Sequence, residues 1–353
     1  MKKLMQIIAI IPFIILLYFF RQNLLEPNKE SFRAEVLAPI ENGYSLKGLE
    51  GLYKDERFES DKLRFASSEK YSLEEGDIVF VSAYDLPGTE TTFEILEYDR
   101  SKMTMALLGI FVVLVLFIAK WTGFNSLISL AGSMSVILIY ILPMLVRGYN
   151  PVLVTLSGGI GMMAFTIFLS HGFHRKNAIA FLGIIISLIL TLILSYTFTS
   201  LMHLSGYVSE EVVYLVHSNG FNFDIINLLI AGILIGTLGV LDDVCISQAS
   251  LVNELKLANP KQEPWQLYKS AMHVGIDHVG SVVNTLALAY TASFLPMLLL
   301  FVIVSGESST NYLEILNQEL IVSELARILI SSIGVVAAVP ITTWLAVRFG
   351  STN

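Results

Sequence analysis

The chain has little charge and almost no cysteine. Only 15% of its 353 residues are charged, whereas 54% are hydrophobic. That balance excludes an ordinary soluble globular protein, in which about 25% of the residues are charged. The single cysteine, Cys245, excludes an intramolecular disulfide. No run of basic residues is present, so we expect no nucleic-acid partner.

Common catalytic motifs are missing as well. The sequence contains no G-x-S-x-G, H-E-x-x-H or Walker A pattern. Asp242 and Asp243 stand close to Cys245 in the chain, and neighbouring carboxylates disfavour the thiolate that a nucleophilic cysteine needs. The sequence therefore identifies no catalytic residue and no cofactor.

Long apolar runs are what the sequence has instead. A helix needs about 20 mostly apolar residues to cross a bilayer. The run over residues 4–20 follows two lysines and ends without a small-x-small cleavage site, which predicts an uncleaved signal anchor over residues 1–20. Seven further runs predict an all-α polytopic membrane bundle of about eight transmembrane helices. These seven runs are residues 103–119, 124–145, 151–170, 178–198, 225–241, 279–304 and 326–347.

The segment between the first and second spans has a different character. Residues 21–102 carry 18 acidic and 11 basic side chains. Stretches such as SFRAEVLAPI and GDIVFVSAYD alternate apolar and polar residues, which is the period of a half-buried strand. We predict a small antiparallel, β-rich extracytoplasmic domain inserted between helices 1 and 2. It either caps the helices or binds an extracytoplasmic ligand or protein.

Lysine and arginine are distributed unevenly around the predicted spans. With the N-terminus inside, nine lie at inner ends and loops and two, Arg147 and Arg327, at outer ones. This asymmetry predicts a multi-pass protein of the cell membrane with both termini cytoplasmic. Residues 103–353 then form a seven-helix membrane domain with a cytoplasmic linker over residues 243–276. The nine inner residues are Lys2, Lys3, Lys120, Arg175, Lys176, Lys256, Lys261, Lys269 and Arg348.

Small residues mark the sixth span as a packing helix. Gly232 and Gly236 form a G-x-x-x-G pair, and Gly239 follows. Such residues let helix backbones approach closely in a membrane, so we expect a compact bundle. The bilayer is the first partner of such a bundle, and the sequence leaves a homo-oligomer open.

Polar residues gather where the sixth and seventh spans meet the linker. An acidic pair, Asp242 and Asp243, ends the sixth span. In the next helix one polar stripe, formed by residues that fall within about 40° of one another at 100° per residue, consists of His273, Asp277, Asn284 and Thr291. A charge at membrane depth costs several kcal/mol. We therefore expect this stripe to face the bundle interior or a wet cavity, and to meet the acidic pair. The residues of the cluster are Asp242, Asp243, His273, Asp277, His278, Asn284 and Thr291.

Three functions are compatible with this cluster. In a transporter or permease it lines a polar pathway, in which a carboxylate beside an imidazole exchanges a proton or holds a coupling ion. In a metal-dependent enzyme at the membrane border, the candidate ligands of a divalent metal are Asp242, Asp243, His273 and Asp277. In a non-catalytic scaffold or sensor, the exported domain binds a partner. The stripe continues outward through Asn284 and Thr291, which favours the transporter.

The same region resembles a known family. The segments GVLDDVCISQASLVNEL at 239–255 and DHVGSVVNTLALAYTASFLPMLLL at 277–300 are similar to YibE/YibF-like bacterial membrane proteins. The order of parts is similar too, so the resemblance covers most of the chain. It implies a polytopic membrane protein and supplies no biochemical activity. Where that family commonly has an arginine before the Asp-His pair, this chain has Ile276.

Overall fold

The computed structural model describes residues 31–41, 43–61, 73–84, 91–208, 210–218, 224–307 and 312–350. The described residues divide after residue 127 into two compact units, and each is described by itself. The predicted signal anchor over residues 1–20 lies outside the described residues.

The first unit begins with a closed five-stranded barrel, which confirms the predicted β-rich domain. Around the barrel the strands follow the order β1-β2-β3-β5-β4. The antiparallel prediction holds except between β3 and β5, which pair in parallel at Ser60 and Phe93. The strands are β1 (Ser31–Ile40), β2 (Gly43–Gly48), β3 (Arg57–Asp61), β4 (Ile78–Tyr84) and β5 (Thr92–Tyr98).

Alternation along the strands builds the core of the barrel. Ala34 and Val36 of β1 and Val79 and Val81 of β4 are buried, because every second side chain points inward. Aromatic rings fill one part of the interior at centroid distances of 4.1 to 6.3 Å. Closure pairs every strand on both sides and removes the open edges of a sheet. The clustered rings belong to Phe32, Tyr53, Phe58 and Phe93.

The helix that follows, α1 (Ser101–Val146), is too long for one span and is broken once. It has 46 residues, and its backbone leaves the helical region at Lys120, with φ 50° and ψ −124°. A Cβ on Gly123 would lie 2.6 Å from the carbonyl oxygen of Val115. Residues eight apart in a straight helix are about 12 Å apart, so the chain turns sharply at Lys120. The break lies between the predicted spans 103–119 and 124–145.

Seven more helices follow within the second unit. Among the described residues, six helices are long and apolar enough to cross a membrane: α1, α2, α3, α5, α6 and α8. The total of about eight spans stays a prediction. The later helices are α2 (Pro151–His171), α3 (Arg175–Leu201), α4 (Glu210–Ser218), α5 (Ile225–Ala258), α6 (Pro264–Glu307), α7 (Tyr312–Leu316) and α8 (Glu319–Phe349).

Most of the predicted linker over residues 243–276 is helical. Helix α5 continues to Ala258 and α6 begins at Pro264, so residues 259–263 alone connect them. The proline at the first position of α6 suits a helix start, because its missing N–H would have no partner there. The acidic pair and the stripe thus lie on two long helices.

Helices α3, α5 and α8 pack against one another and form the core of the second unit. Helices α2 and α6 pack onto this core. Small residues sit where the helices cross. Gly183 of α3 lies against Thr342 of α8, and Gly159 of α2 lies against Leu238 of α5. At each site a Cβ would come closer than real atoms approach. The short distance between these backbones is what brings polar groups of different helices into contact.

Candidate functional site

The predicted stripe of α6 lies on the side that faces away from α5 and α8. The buried side is small and apolar, with Ala271, Gly275, Val279 and Leu286. A Cβ on Gly275 would lie 2.7 Å from atoms of α5 and α8, so the missing side chain of this glycine permits the close contact. The stripe is about half a turn away from it. Among the described residues, the stripe therefore does not face the interior of the bundle, and the alternative that it lines a wet cavity stays a prediction. His273, Asp277, His278, Asn284 and Thr291 are all exposed.

The acidic pair of α5 does not gather other ligands around it. Asp242 is half-buried and Asp243 is exposed, and the Asp242 carboxylate accepts a hydrogen bond from the Asp243 N–H at 2.9 Å. The described residues hold no group of three or more His, Cys, Asp or Glu side chains that could bind a metal ion. The four candidate ligands, Asp242, Asp243, His273 and Asp277, thus form no such group there.

The three glycines of α5 have different surroundings. Gly236 lies against the hydroxyl of Tyr290 of α6. The nearest atom to a Cβ on Gly232 is an Arg327 nitrogen, 3.9 Å away, and a Cβ on Gly239 would meet nothing within 4 Å. Close packing is thus found at Gly236, and the packing role expected for Gly239 is not met within the described residues.

A second set of polar residues, which the sequence pattern did not predict, is buried where α3, α5 and α8 meet. Four hydroxyl residues of α3 recur every fourth position and so share one face. Thr237 of α5 hydrogen-bonds to Ser331 of α8 at 2.8 Å. We call this set the hydroxyl column. It consists of Ser187, Thr191, Ser195, Thr199, Thr237 and Ser331, all buried.

The hydroxyl column is only partly satisfied by protein atoms. The Thr191 hydroxyl donates to the Ser187 carbonyl at 2.9 Å, and the Ser195 hydroxyl donates to the Thr191 carbonyl at 2.8 Å. The side-chain oxygens of Ser187 and Thr199 have no hydrogen-bond partner within the described structure. A buried hydroxyl without a partner costs about 1–3 kcal/mol. These two groups can therefore hydrogen-bond water or a polar solute at a gain.

Tyr290 connects α6 to the column. Its hydroxyl lies against Gly236 of α5 and hydrogen-bonds to Ser331 of α8. Ser331 thus contacts both Thr237 and Tyr290, and three helices meet at one hydroxyl group. The sequence signal was weak, because Tyr290 lies in an apolar run and outside the polar stripe.

An ion pair lies one turn along α8 from Ser331. Arg327 and Glu324 are 3.1 Å apart, with side-chain exposures of 23% and 19%. The Nε of Arg327 is buried without a hydrogen-bond partner in the described structure. A mostly buried ion pair needs further hydrogen bonds to offset its lost hydration. The pair therefore keeps capacity for a polar ligand at this end of the column.

Two cavities lie at opposite ends of α3. The one at its C-terminal end has a volume of about 340 Å³ and is lined by Tyr196, Thr199 and His203, among others. The one at its N-terminal end has a volume of about 290 Å³ and is lined by Arg175 and Lys176, among others. Thr199 belongs to both the first cavity and the hydroxyl column, so the column begins at a cavity wall.

A buried amide ties three helices together between the column and the N-terminal end of α3. The Nε2 of Gln248 donates to the Ala271 carbonyl of α6 at 3.0 Å and to the Thr343 hydroxyl of α8 at 2.7 Å. The Thr342 hydroxyl donates to the Cys245 sulfur at 3.3 Å. These contacts fix α5, α6 and α8 at one depth. Cys245 is buried, which agrees with a structural cysteine.

Comparison with known proteins identifies the family. The family model described as YibE/F-like protein matches residues 107–351. No curated protein and no solved structure matches the chain. The matched region includes all six long apolar helices in whole or in part, and with them the hydroxyl column and both cavities. The chain therefore belongs to the YibE/F-like family of multi-pass membrane proteins.

Proposed function

We propose that this protein is a permease-like transporter of the bacterial cell membrane, with both termini cytoplasmic. One observation carries the proposal: two cavities at opposite ends of α3 are separated by the buried hydroxyl column. A polar solute that crosses a helical bundle needs polar partners at successive depths. The column offers such partners over about three turns of α3.

The chemistry of the column suits a small polar solute or an ion. Each hydroxyl can both donate and accept a hydrogen bond, so it can replace part of a hydration shell. None of the six column residues carries a charge, which avoids trapping an ion midway. The partly buried Glu324–Arg327 pair supplies both signs of charge near one end.

Close helix packing is the competing explanation of a stripe of small hydroxyl residues. The two explanations differ in whether water enters the column. The test places a cysteine at Ser331 after Cys245 is replaced by alanine. A thiol reacts with hydrophilic thiosulfonate reagents only as a hydrated thiolate, so the rate of labelling reports whether water reaches this position. The matched control is cysteine at Leu329, two residues away on the same helix and 57% exposed on the outer surface of the bundle.

We expect Ser331→Cys to react at least tenfold faster than Leu329→Cys in proteoliposomes, and Thr191→Cys to react likewise. Equal and slow reaction of all three variants would show a dry, purely structural column and would refute the transport proposal. Folding is controlled by monodisperse elution of each variant.

A non-catalytic scaffold or sensor is the second candidate, and the open polar stripe of α6 favours it. Asp277 and Asn284 lie on a surface that no described helix of this unit covers. Polar groups on the lipid-facing side of a bundle are costly, and a protein partner with polar groups would cover them. The barrel, which has its own core, is a second surface for a partner.

The same labelling series distinguishes the two candidates. A dry column together with an Asp277→Cys thiol that is protected in native membranes and reactive after purification would favour the scaffold. A hydrated column favours the transporter whatever Asp277→Cys does. The metal-dependent enzyme has no supporting group of ligands among the described residues.

A further inference from the structure

The cavity at the N-terminal end of α3 is strongly basic. It lies between the start of α3, the last turns of α5 and the end of α8, and its volume is about 290 Å³. Four of its ten lining residues are histidine, arginine or lysine, and none is acidic. The four basic residues are His174, Arg175, Lys176 and Lys256.

Local sequence explains why α3 starts at this cavity. Gly172 has φ 78°, a conformation that glycine adopts readily, and it turns the chain after α2. The buried Asn177 amide donates to the Gly172 carbonyl at 2.7 Å and fixes the turn. His174 is then the N-cap, and its side chain makes no capping hydrogen bond. The positive end of the helix dipole therefore adds to the charges of Arg175 and Lys176.

The third positive charge, on Lys256, is held in place from the other side of the cavity. Lys256 of α5 donates to the carbonyl of Gly350, which follows the end of α8, at 2.7 Å. This contact neutralises no charge, since a carbonyl is a dipole. Within the described part of the chain, none of Arg175, Lys176 and Lys256 forms an ion pair with an acidic side chain. Three full positive charges thus converge on one cavity.

We infer that this cavity binds a phosphate group, carried either by an anionic lipid headgroup or by a soluble ligand. A helix N-terminus with adjacent arginine and lysine is the arrangement that binds phosphate in many proteins. The volume accommodates a phosphate and part of the group attached to it. The positive-inside asymmetry places the cavity at the cytoplasmic end of the bundle, where basic pockets between helices bind lipid headgroups.

This inference deepens the proposed function, because the cavity is one end of the proposed pathway. Binding is measured without transport, so the two can fail separately. The labelling of Ser331→Cys reports on the column, and the binding experiment reports on the cavity alone.

The experiment uses the full chain in nanodiscs of phosphatidylcholine. The lipid probe is 20 mol% phosphatidylglycerol, roughly the anionic content of a bacterial membrane, and the soluble probe is inorganic phosphate. The readouts are the thermal shift on adding each probe and the lipid retained in native mass spectrometry. The test variant is Arg175→Gln/Lys176→Gln. The matched control is Lys261→Gln/Arg348→Gln, which removes two exposed basic residues that do not line the cavity.

We expect the test variant to bind at least tenfold more weakly than wild type, and the control variant to bind as wild type does. Dependence on phosphatidylglycerol alone identifies a lipid headgroup, and binding of inorganic phosphate in neutral nanodiscs identifies a soluble ligand. A conservative variant, Arg175→Lys/Lys176→Arg, should retain binding, which separates loss of charge from misfolding. Binding of neither probe by wild type, or equal loss in test and control variants, overturns the inference.

Discussion

Replacement of Gly236 by alanine tests the contact that joins α5 to α6. A Cβ at this position would overlap the hydroxyl oxygen of Tyr290. A retreat of the tyrosine from the new Cβ would weaken its interaction with Ser331. Gly239 provides a matched control one turn away, because a Cβ there meets nothing within 4 Å.

The magnitude follows from three contributions. Overpacking costs about 1–3 kcal/mol, and the lost hydrogen bond costs about 0.5–1.5 kcal/mol. Alanine is favoured over glycine in a helix by about 1 kcal/mol. The expected net destabilisation by Gly236→Ala is therefore about 0.5–3.5 kcal/mol. Gly239→Ala should instead be neutral or stabilising by up to about 1 kcal/mol.

The assay is the thermal unfolding midpoint of purified protein in one detergent, completed as a double-mutant cycle with Tyr290→Phe. Without the hydroxyl oxygen, the nearest ring atom to the new Cβ is Cζ at 3.1 Å. Gly236→Ala should therefore cost less in the Tyr290→Phe background. Equal effects of Gly236→Ala and Gly239→Ala, or a cycle without coupling, would refute the assigned contact.

Two further predictions concern the first unit and the topology. Residues 28–100 expressed alone should unfold cooperatively, and this fragment should lose stability in acid. The hydrogen bond and charge of Arg33 lower the pKa of Glu50 below its ordinary value. The stability contributed by the pair is therefore present above the unfolded-state pKa and is lost as pH falls through the folded-state pKa. The side chains of Arg33 and Glu50 are partly exposed, at 45% and 31%. Glu50→Gln should therefore remove less than about 1 kcal/mol of this pH-dependent stability. An unchanged denaturation curve between pH 7 and pH 3 would contradict the assigned role of the Arg33–Glu50 pair. The orientation is tested in a Cys245→Ala background with an impermeant thiol reagent on intact cells. The reagent should label Leu52→Cys, whose native side chain is 87% exposed, and should not label Lys261→Cys. The reverse pattern would rule out the proposed orientation.

The class of the protein could be predicted from the sequence. Hydropathy is a sum over neighbouring residues, so apolar runs identify long helices without any knowledge of their partners. The strand period within residues 21–102 predicted the β-rich domain in the same way, and its closure into a barrel was known only from the structure. The parallel contact of β3 with β5 could not be predicted, because it depends on closure of the whole sheet.

The candidate site depended on the tertiary structure. A 100° period shows that His273, Asp277 and Asn284 share one face of α6, and it does not show what that face meets. The packing of Gly275 and Val279 against α5 and α8 decided that the polar face stays open. Serine and threonine barely interrupt an apolar run, because they hydrogen-bond to their own helix. Their gathering in the hydroxyl column, and the basic cavity beside α3, arise only when helices far apart in sequence pack together.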